Sequence, residues 1–381
     1  MHNPAAQRPT WAEINLDNLV HNFRVTKAAV GGVAIMAAVK ADAYGHGAVE
    51  CARALEAAGV DWFGVALPEE GVELRLAGVT KPILCLGGFW DGQGELLITH
   101  RLTPVVFRSE SLQTLNRDAR SAGRKVDYHL KIDTGMGRLG VPFYELDDFL
   151  GDLAQFESLR LDGIMTHLAS ADDSDQRLFT EQQITRFESA IEAIHSRGLN
   201  PSWIHAASSA GALAYPRARG NLVRPGGVLY GLWRDVINSS CTPLDWRPVM
   251  SLRTRIALIK TVEAGIPLGY GGTFVTARES RIATIAIGYE DGVRRELSNR
   301  GHVVVRGRLA PIVGRVSMDL TLIDVTDIDR VAVDDEVVII GAQDETEITA
   351  EDLAAQIGTI SYEVTCGISN RVPRVYLPAR E

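Results

Sequence analysis

Lysine is scarce in this sequence of 381 residues, and no basic run makes up for it. Six of the 39 basic residues are lysines and 33 are arginines, so any chemistry that needs a lysine amine has six candidates. The 48 acidic residues give a formal net charge of -9. An acidic chain without a lysine-rich run is not expected to be a general binder of nucleic acid or of an anionic membrane surface. The lysines are Lys27, Lys40, Lys81, Lys125, Lys131 and Lys260.

Paired cysteines and long hydrophobic runs are missing as well. The four cysteines form no CxxC pair, so neither a structural metal site nor a disulfide framework is expected. The longest apolar runs, such as Val33–Val39, are far shorter than the roughly 18 residues of a membrane span. No secretory signal is visible, and we expect a cytoplasmic protein. HExxH, Walker A and GxSxG motifs are absent, which excludes zincins, P-loop enzymes and the common serine hydrolases.

The first two-thirds of the chain alternates short apolar runs with amphipathic helical stretches. Such alternation over about 210 residues is typical of a (β/α)8 barrel, although a doubly wound sheet would also accommodate it. The eight predicted strands are Val33–Val39, Trp62–Leu67, Ile83–Gly87, Pro104–Phe107, Val126–Ile132, Leu161–His167, Trp203–Ala206 and Leu222–Arg224.

The pattern changes after about residue 240, where strands are separated by turns rather than by long helices. One helical piece, Ala350–Ile357, follows Thr349 as its expected N-cap. We therefore predict an α/β protein with a (β/α)8 TIM barrel over residues 11–240 and a β-rich C-terminal domain over residues 241–381. The first ten or so residues of the chain are expected to be part of the C-terminal domain. The predicted strands are Val249–Thr261, Arg281–Ile287, His302–Arg306, Leu320–Val325 and Glu336–Ile340.

Residues just past the carboxyl ends of barrel strands line the active sites of barrel enzymes. Lys40 follows the apolar run Val33–Val39, and desolvation there would lower the pKa of its amine and suit it to form a Schiff base. The alternative is a lysine that merely extends its amine from a strand end to solvent. The other candidates on this rim are Lys131, Arg138, His167, His205, Ser209, Arg224, Gly226 and Gly227.

Two glycine motifs have different interpretations. Gly226-Gly227 after the eighth strand fits the usual phosphate site of a barrel, and Ser209 could add a hydroxyl group. Gly135–Gly140 matches GxGxxG, but a fifth strand is the wrong place for a dinucleotide fingerprint, so a nicotinamide oxidoreductase is only a fallback. We expect these glycines to shape a loop that aims Arg138 inward.

The histidines divide in two groups. His167 and His205 fall at predicted strand ends on the rim, where a core role and a site role are both open. Five other histidines lie on segments that look helical or exposed, and we expect them to be structural: His21, His100, His129, His195 and His302.

Several blocks of the sequence together resemble alanine racemase, a pyridoxal-phosphate enzyme with an N-terminal (β/α)8 barrel and a C-terminal β domain. The resemblance runs from Lys40 nearly to the last residue. The matching blocks are Ala38–Gly47, Lys131–Gly140, Met165–His167, Arg224–Gly226, Leu268–Gly271, Ile287–Tyr289, Ser317–Asp319 and Ser361–Val364.

The resemblance implies a set of cofactor contacts. Lys40 would hold pyridoxal 5'-phosphate as a Schiff base, and Arg224, supported by His205, would face the pyridine nitrogen. A cation there makes the ring a weaker electron sink, which suits an enzyme that only moves a proton. Arg138 would contact the phenolic oxygen and the substrate carboxylate, held by Lys131, which is carbamylated in some relatives. The phosphate ligands would be Tyr44, Ser209, Gly226, Gly227 and Tyr362.

The resemblance also implies a two-base mechanism in a head-to-tail homodimer. Lys40 would act on D-alanine and Tyr270, tuned by His167, on L-alanine, and the product would supply peptidoglycan synthesis. Tyr270 and the substrate-binding Met318 would come from the partner chain. Further residues match the substrate access corridor of the family: Asp172, Tyr289, Arg295, Arg315 and Ile360.

Two departures from the family pattern leave the substrate open. Gly227 stands where a branched aliphatic residue is usual, and Val293 replaces a frequent bulky aromatic residue in the corridor. A wider corridor would fit a broad-specificity or serine-accepting racemase. Two other readings are weaker: a decarboxylase of this architecture would carry an acid in place of Arg224, and a non-catalytic cofactor-binding barrel would lack any equivalent of Tyr270.

Overall fold

The computed structural model describes residues 8–151, 153–237, 241 and 244–377. The contacts between backbone segments divide them into two units. The barrel unit comprises Leu19–Ala43 and Gly47–Arg247, and the sheet unit comprises the residues up to Asn18, the short piece Tyr44–His46 and the residues from Pro248 onward. Within the described ranges, no helix has the length and apolar character needed to cross a membrane.

Eight parallel strands build the barrel unit: the first seven pair in the order of the chain, and the eighth pairs with the first. A parallel bridge between Ser208 and Arg224 lies between the last two strands, so the barrel is nearly closed. The predicted (β/α)8 barrel is confirmed, and a doubly wound sheet is excluded because the strand order never reverses. The strands are Ala34–Ala38, Trp62–Val65, Ile83–Cys85, Thr103–Val106, Val126–Asp133, Leu159–Met165, Trp203–His205 and Leu222–Val223, and a short strand Val141–Pro142 pairs beside the fifth.

Large apolar side chains fill the interior of the barrel, as a closed sheet of eight strands requires. Met36, Trp62, Leu84, Val105 and Met165 are all buried in one cluster. The α-helices of this region are Leu16–Ala29, Ala48–Ala57, Pro68–Leu76, Gly94–Thr99, Ser109–Ser121, Leu146–Gly151, Arg177–Ser196 and Ser209–Ala214. The 3-10 turns are Phe143–Glu145, Leu153–Gln155, Pro216–Ala218 and Gly227–Tyr230.

The turn that follows the first barrel strand is left-handed. The segment Lys40–Gly45 after the first barrel strand is helical, but Ala41, Asp42, Ala43 and Tyr44 have φ angles of 53°, 52°, 54° and 56°. This is a left-handed turn, which costs an L-residue about 1–2 kcal/mol. Contacts with the surrounding structure therefore have to stabilise this conformation.

The sheet unit is a mixed β structure, as the sequence predicted for the C-terminal part. Its first strand, Thr10–Asn15, pairs antiparallel with Met250–Val262 and parallel with Arg374–Leu377. The other strands are Pro267–Leu268, Phe274–Val275, Ser280–Ile285, His302–Val305, Arg308–Pro311, Thr321–Asp324, Glu336–Gln343 and Thr346–Ile348.

The helical parts of the sheet unit are short. Helix Ala350–Ile357 begins at the predicted N-cap, because Thr349 Oγ1 accepts a hydrogen bond from the Asp352 amide at 3.1 Å. A second helix, Ser361–Cys366, was not predicted. The 3-10 turns are Tyr270–Gly272, Tyr289–Asp291 and Arg295–Leu297.

Candidate active site

The carboxyl ends of the barrel strands bring the predicted cationic residues to one rim. Lys40 follows the first strand, Lys131 lies in the fifth, His167 follows the sixth, His205 ends the seventh and Arg224 follows the eighth. Lys131 and Arg224 are each only 5% exposed and His205 is fully buried. The rim therefore carries cationic groups that are largely withdrawn from water.

Arg224 is held by neutral acceptors. Its Nη1 donates to His205 Nδ1 at 2.8 Å and to the His205 carbonyl at 3.0 Å, and its Nη2 donates to the carbonyls of Thr166 and Ala206 at 2.8 and 2.9 Å. Burial lowers the pKa of the guanidinium to about 9. No carboxylate in the described part of the chain pairs with it. Its position is fixed while its charge remains uncancelled.

A second histidine continues this hydrogen-bond chain into the barrel interior. His205 Nε2 lies 2.8 Å from His129 Nδ1. Because arginine can only donate, His205 must accept at Nδ1 and donate from Nε2, which makes His129 an acceptor at Nδ1. Burial, reinforced by the charge of Arg224, lowers the pKa of His129 to about 3 and that of His205 well below its usual value. Both rings are therefore neutral.

The expectation for His129 was wrong. It is fully buried on a barrel strand rather than on a helical or exposed segment. A signal was present in the sequence, since His129 and Lys131 are two positions apart on one strand and so share a face.

Lys131 has an amine that is poised to lose its proton. Burial is the main cause that lowers its pKa to about 8, and the charges of Arg224, Arg138 and Lys40 add to it. Arg138 itself is exposed at the end of the glycine loop. Asp133 raises the pKa of Lys131, but its effect is smaller than that of burial, Arg224 or Arg138.

The glycine loop has a structural organisation of its own. Asp133 accepts hydrogen bonds from the amides of Gly135 and Gly137, each at 2.9 Å. Gly135, Gly137 and Gly140 have φ angles of 139°, 71° and 132°, which glycine tolerates best. A Cβ atom at Gly140 would lie 2.5 Å from the Asp133 amide nitrogen. The glycines are thus needed for the shape of the loop that carries Arg138.

Ser209 and the glycine pair form a small group of donors near Arg224 in the sequence. Ser209 is buried at the start of helix Ser209–Ala214, and its Oγ accepts the Gly226 amide at 3.0 Å. Gly227 begins the next turn. The Ser209 hydroxyl hydrogen is then directed away from Gly226, as a donor for a phosphate requires.

His167 is the last candidate on the barrel rim. Its Nδ1 lies 3.3 Å from Arg224 Nη2. Burial first, and then the charges of Arg224, Lys131, Arg138 and Lys40, hold its pKa well below its usual value. His167 is therefore a neutral ring whose Nε2 carries the proton.

The candidates of the sheet unit fall into a buried and an exposed group. Tyr44 is buried, which raises the pKa of its hydroxyl, and its ring meets that of Tyr362 edge to face with centroids 5.0 Å apart. Tyr270 and Met318 are 71% and 50% exposed. Tyr289 is 39% exposed. Two predicted site residues of this unit thus face solvent in the single chain.

A buried aspartate organises the loops that carry Tyr289 and Met318. Asp291 is fully buried, accepts the Gly288 amide at 3.0 Å and forms ion pairs with Arg8 and Arg371. The Tyr289 amide donates to the Ser317 carbonyl at 2.9 Å. Sequence reasoning missed Asp291, which bears only the modest signal of an acid next to a conspicuous tyrosine.

The fold and this rim define a (β/α)8-barrel enzyme with lysine amines set among buried cations. Family models agree: that of the alanine racemase N-terminal domain matches residues 14–233, and that of the alanine racemase C-terminal domain matches residues 249–376. The chain belongs to the alanine racemase family and is an isomerase. The family predicted from the sequence blocks is confirmed.

Individual relatives match over nearly their whole length. An alanine racemase of Halothermothrix orenii is 45% identical over 377 residues, which is 98% of each chain. The alanine racemase from D-cycloserine-producing Streptomyces lavendulae superposes with a TM-score of 0.92 at 36% identity, over 99% of this chain and 98% of that one. The structure of the Bartonella henselae alanine racemase, which has covalently bound pyridoxal phosphate, matches with a TM-score of 0.87 at 30% identity, over 97% and 99%.

Proposed function

We propose that the chain interconverts L-alanine and D-alanine with pyridoxal 5'-phosphate bound covalently at Lys40. The observation that carries the proposal is the setting of Arg224, which is buried, hydrogen-bonded only to carbonyls and imidazole nitrogens, and without a carboxylate partner among the described residues. When bound, the cofactor would weaken the bond between the alanine Cα and its hydrogen. A decarboxylase is disfavoured because no acid occupies the position of Arg224.

The side chains of the barrel rim fit this cofactor by their chemistry. The phosphate is an anion; Ser209 would offer its hydroxyl group, which the Gly226 amide orients, and Gly227 would offer its backbone amide. Lys40 supplies the amine. We further propose Tyr44 and Tyr362, whose rings touch, as phosphate ligands.

The remaining roles follow from where each proton can be held. The hydrogen bonds from Nη1 and Nη2 of Arg224 to fixed acceptors hold its guanidinium in place, and its positive charge would disfavour protonation of the pyridine nitrogen. Arg138 is exposed on its loop and would bind the substrate carboxylate. Lys40 Nζ would exchange a proton on one face of the substrate.

The second base is proposed to be Tyr270 from the partner subunit of a head-to-tail homodimer. One group cannot reach both faces of the substrate, so a racemase needs two. The 71% exposure of Tyr270 and the 50% exposure of Met318 support this proposal, because large exposed side chains are available for contact with a partner surface. His167 is the proposed tuning group for the hydroxyl of Tyr270.

The variant Lys40→Ala tests the attachment. Purified protein incubated with pyridoxal phosphate should show a visible absorption band that borohydride reduction fixes to the Lys40 peptide, and Lys40→Ala should lack both the band and racemisation. Lys125→Ala removes an exposed lysine of the same unit and is the matched control. A reducible chromophore retained by Lys40→Ala would refute the assignment.

Deuterium exchange tests the two-base scheme. Tyr270→Phe should lose exchange of the α-hydrogen of L-alanine far more than that of D-alanine, because only one face loses its base. Both reactions are followed by NMR in D₂O. Equal losses from the two enantiomers would contradict the facial assignment.

A further inference from the structure

The turn that follows Lys40 needs to be held in place. Its residues Ala41, Asp42, Ala43 and Tyr44 all have positive φ angles near 54°, a conformation that L-residues avoid and that is ordinarily found in single residues rather than in runs. Lys40 is the first residue of this turn. The direction in which Lys40 leaves the backbone therefore depends on whatever stabilises the turn.

The carboxylate of Glu70 bridges this turn to the loop after the next barrel strand. Its Oε1 accepts the Ala41 amide at 2.7 Å. Its Oε2 accepts the amides of Ala66 and Leu67 at 2.6 and 3.1 Å. Hydrogen bonds to an ionised acceptor are about twice as strong as neutral ones. Three backbone donors from two loops thus converge on one carboxylate.

Other contacts hold the far end of the turn. The Asp42 carboxylate accepts the Ala48 amide at 2.7 Å, and the Asp42 carbonyl accepts the Gly47 amide at 2.9 Å. The Ala43 amide donates to the Val39 carbonyl at 2.9 Å. None of these contacts involves the amide of Ala41, which is adjacent to Lys40 and bonds to Glu70.

We propose that Glu70 is a positioning residue, whose carboxylate holds the left-handed turn after Lys40 and so fixes where the Lys40 amine is presented. The proposal rests on the attachment of the cofactor at Lys40 given above. A carboxylate is required because two oxygens must accept at once on opposite sides. Glutamine has one acceptor oxygen, and its NH₂ group would face a donor on the other side.

Glu70 also caps the helix to which it belongs, and the test must distinguish this structural role from the positioning of Lys40. It is the third residue of helix Pro68–Leu76, where it accepts the amide of the N-cap residue Leu67. Loss of a cap disturbs the first turn of that helix. If capping were its whole role, the segment 41–44 and the cofactor affinity would not respond to substitution.

Glu70→Gln is compared with Glu69→Gln, which removes the same charge from the same helix. Glu69 is exposed, and its Oε1 accepts a hydrogen bond from Gln93 Nε2 at 2.7 Å. In cofactor-free protein, hydrogen exchange of the amides 41–44 should be about tenfold faster or more in Glu70→Gln. The dissociation constant of pyridoxal phosphate should rise by about tenfold or more, the equivalent of one lost charge-assisted hydrogen bond. Glu69→Gln should change neither.

Glu70→Asp is the second variant and guards against a poorly folded Glu70→Gln. It keeps the negative charge but is one methylene shorter, so it cannot span both loops and should weaken cofactor binding as well. Wild-type exchange and affinity in Glu70→Gln, or faster exchange confined to residues 68–76, would overturn the proposal. So would wild-type affinity in Glu70→Asp, which would make the effect one of charge alone. A failed attachment is recognised separately, by a chromophore that survives in Lys40→Ala.

Discussion

Lys131 is predicted to react with carbon dioxide because burial in the fold lowers the pKa of its amine. Its pKa of about 8 compares with 10.5 for an ordinary lysine. At pH 8 about half of Lys131 is neutral, against about 0.3% for an exposed lysine, which is an increase of more than about a hundredfold. The neutral Nζ lone pair attacks the carbon of CO₂, a proton leaves the nitrogen, and a carbamate anion results.

Burial, the main cause of the lowered pKa, disfavours any charge at this place, whereas the neighbouring cations that add to it favour an anionic product. Arg224, Arg138 and Lys40 disfavour a positive charge on Lys131, so they stabilise a negative charge at the same place. A carbamate would also accept hydrogen bonds from Arg138, which is otherwise exposed on its loop. The modification would turn a repulsive neighbour of Arg138 into an attractive one.

Carbon-13 NMR after addition of labelled bicarbonate at pH 8 measures the reaction. Besides the carbamate of the α-amino group, which also loses its proton near pH 8, one further carbamate resonance is expected. This resonance should be absent from Lys131→Met and unchanged in Lys125→Met, which removes an exposed lysine. Spectra of the wild type and of Lys131→Met with the same carbamate resonances would refute the reasoning.

The same pKa has a consequence for stability when CO₂ is excluded. The folded chain holds the Lys131 proton less tightly than the unfolded chain, so between about pH 8 and 10.5 the unfolded chain binds more protons and the free energy of unfolding rises with pH. Below this window the protonated amine should lower the free energy of unfolding by about 3 kcal/mol, and above the window this effect should be absent. Urea unfolding should show the rise, and Lys131→Met should remove it. A parallel rise in that variant would contradict the assignment.

Two further substitutions probe the histidine chain. His205→Leu should lower the free energy of unfolding by about 2–3 kcal/mol, since it removes an acceptor of Arg224 and leaves His129 Nδ1 buried without a donor. Urea unfolding measures this loss, and an unchanged free energy would contradict the proposed hydrogen-bond chain. Gly163→Ala would place a Cβ 2.6 Å from the His129 ring and should cost about 1–3 kcal/mol, whereas Gly151→Ala meets no atom within 4 Å and is the control. Equal melting temperatures of these two alanine variants would be evidence against that close packing.

Much of the barrel was predictable because its strands consist of short runs of apolar residues. Each predicted barrel strand overlaps an observed one, with ends displaced by at most two residues, as in Val33–Val39 against Ala34–Ala38. The position of a strand end then located Lys40, His205 and Arg224 on one rim by the geometry of parallel sheets alone. Their roles came from the resemblance to a family and not from the pattern.

Other features could not be predicted from local patterns. The left-handed turn at Ala41–Tyr44 contradicts the preferences of its own residues and exists because Glu70, 29 positions after Ala41, holds it. His129 lacked a local signal strong enough to mark it as the partner of His205, which lies 76 positions away. The pairing of Thr10–Asn15 with Met250–Val262 is likewise a long-range contact. Local propensity carries no information about such partners.

The neutral surroundings of Arg224 help to explain why the rest of the rim titrates as it does. A buried arginine usually has a carboxylate partner, which cancels its field at short range. Here carbonyls and His205 satisfy its hydrogen bonds without cancelling its charge. Burial is the main cause that lowers the pKa of Lys131, His167 and His205, and the uncancelled charge of Arg224 adds to it at all three. An acid in place of His205 would satisfy the same nitrogen but would raise all these pKa values, so the imidazole matters here because it accepts a hydrogen bond without bringing a negative charge.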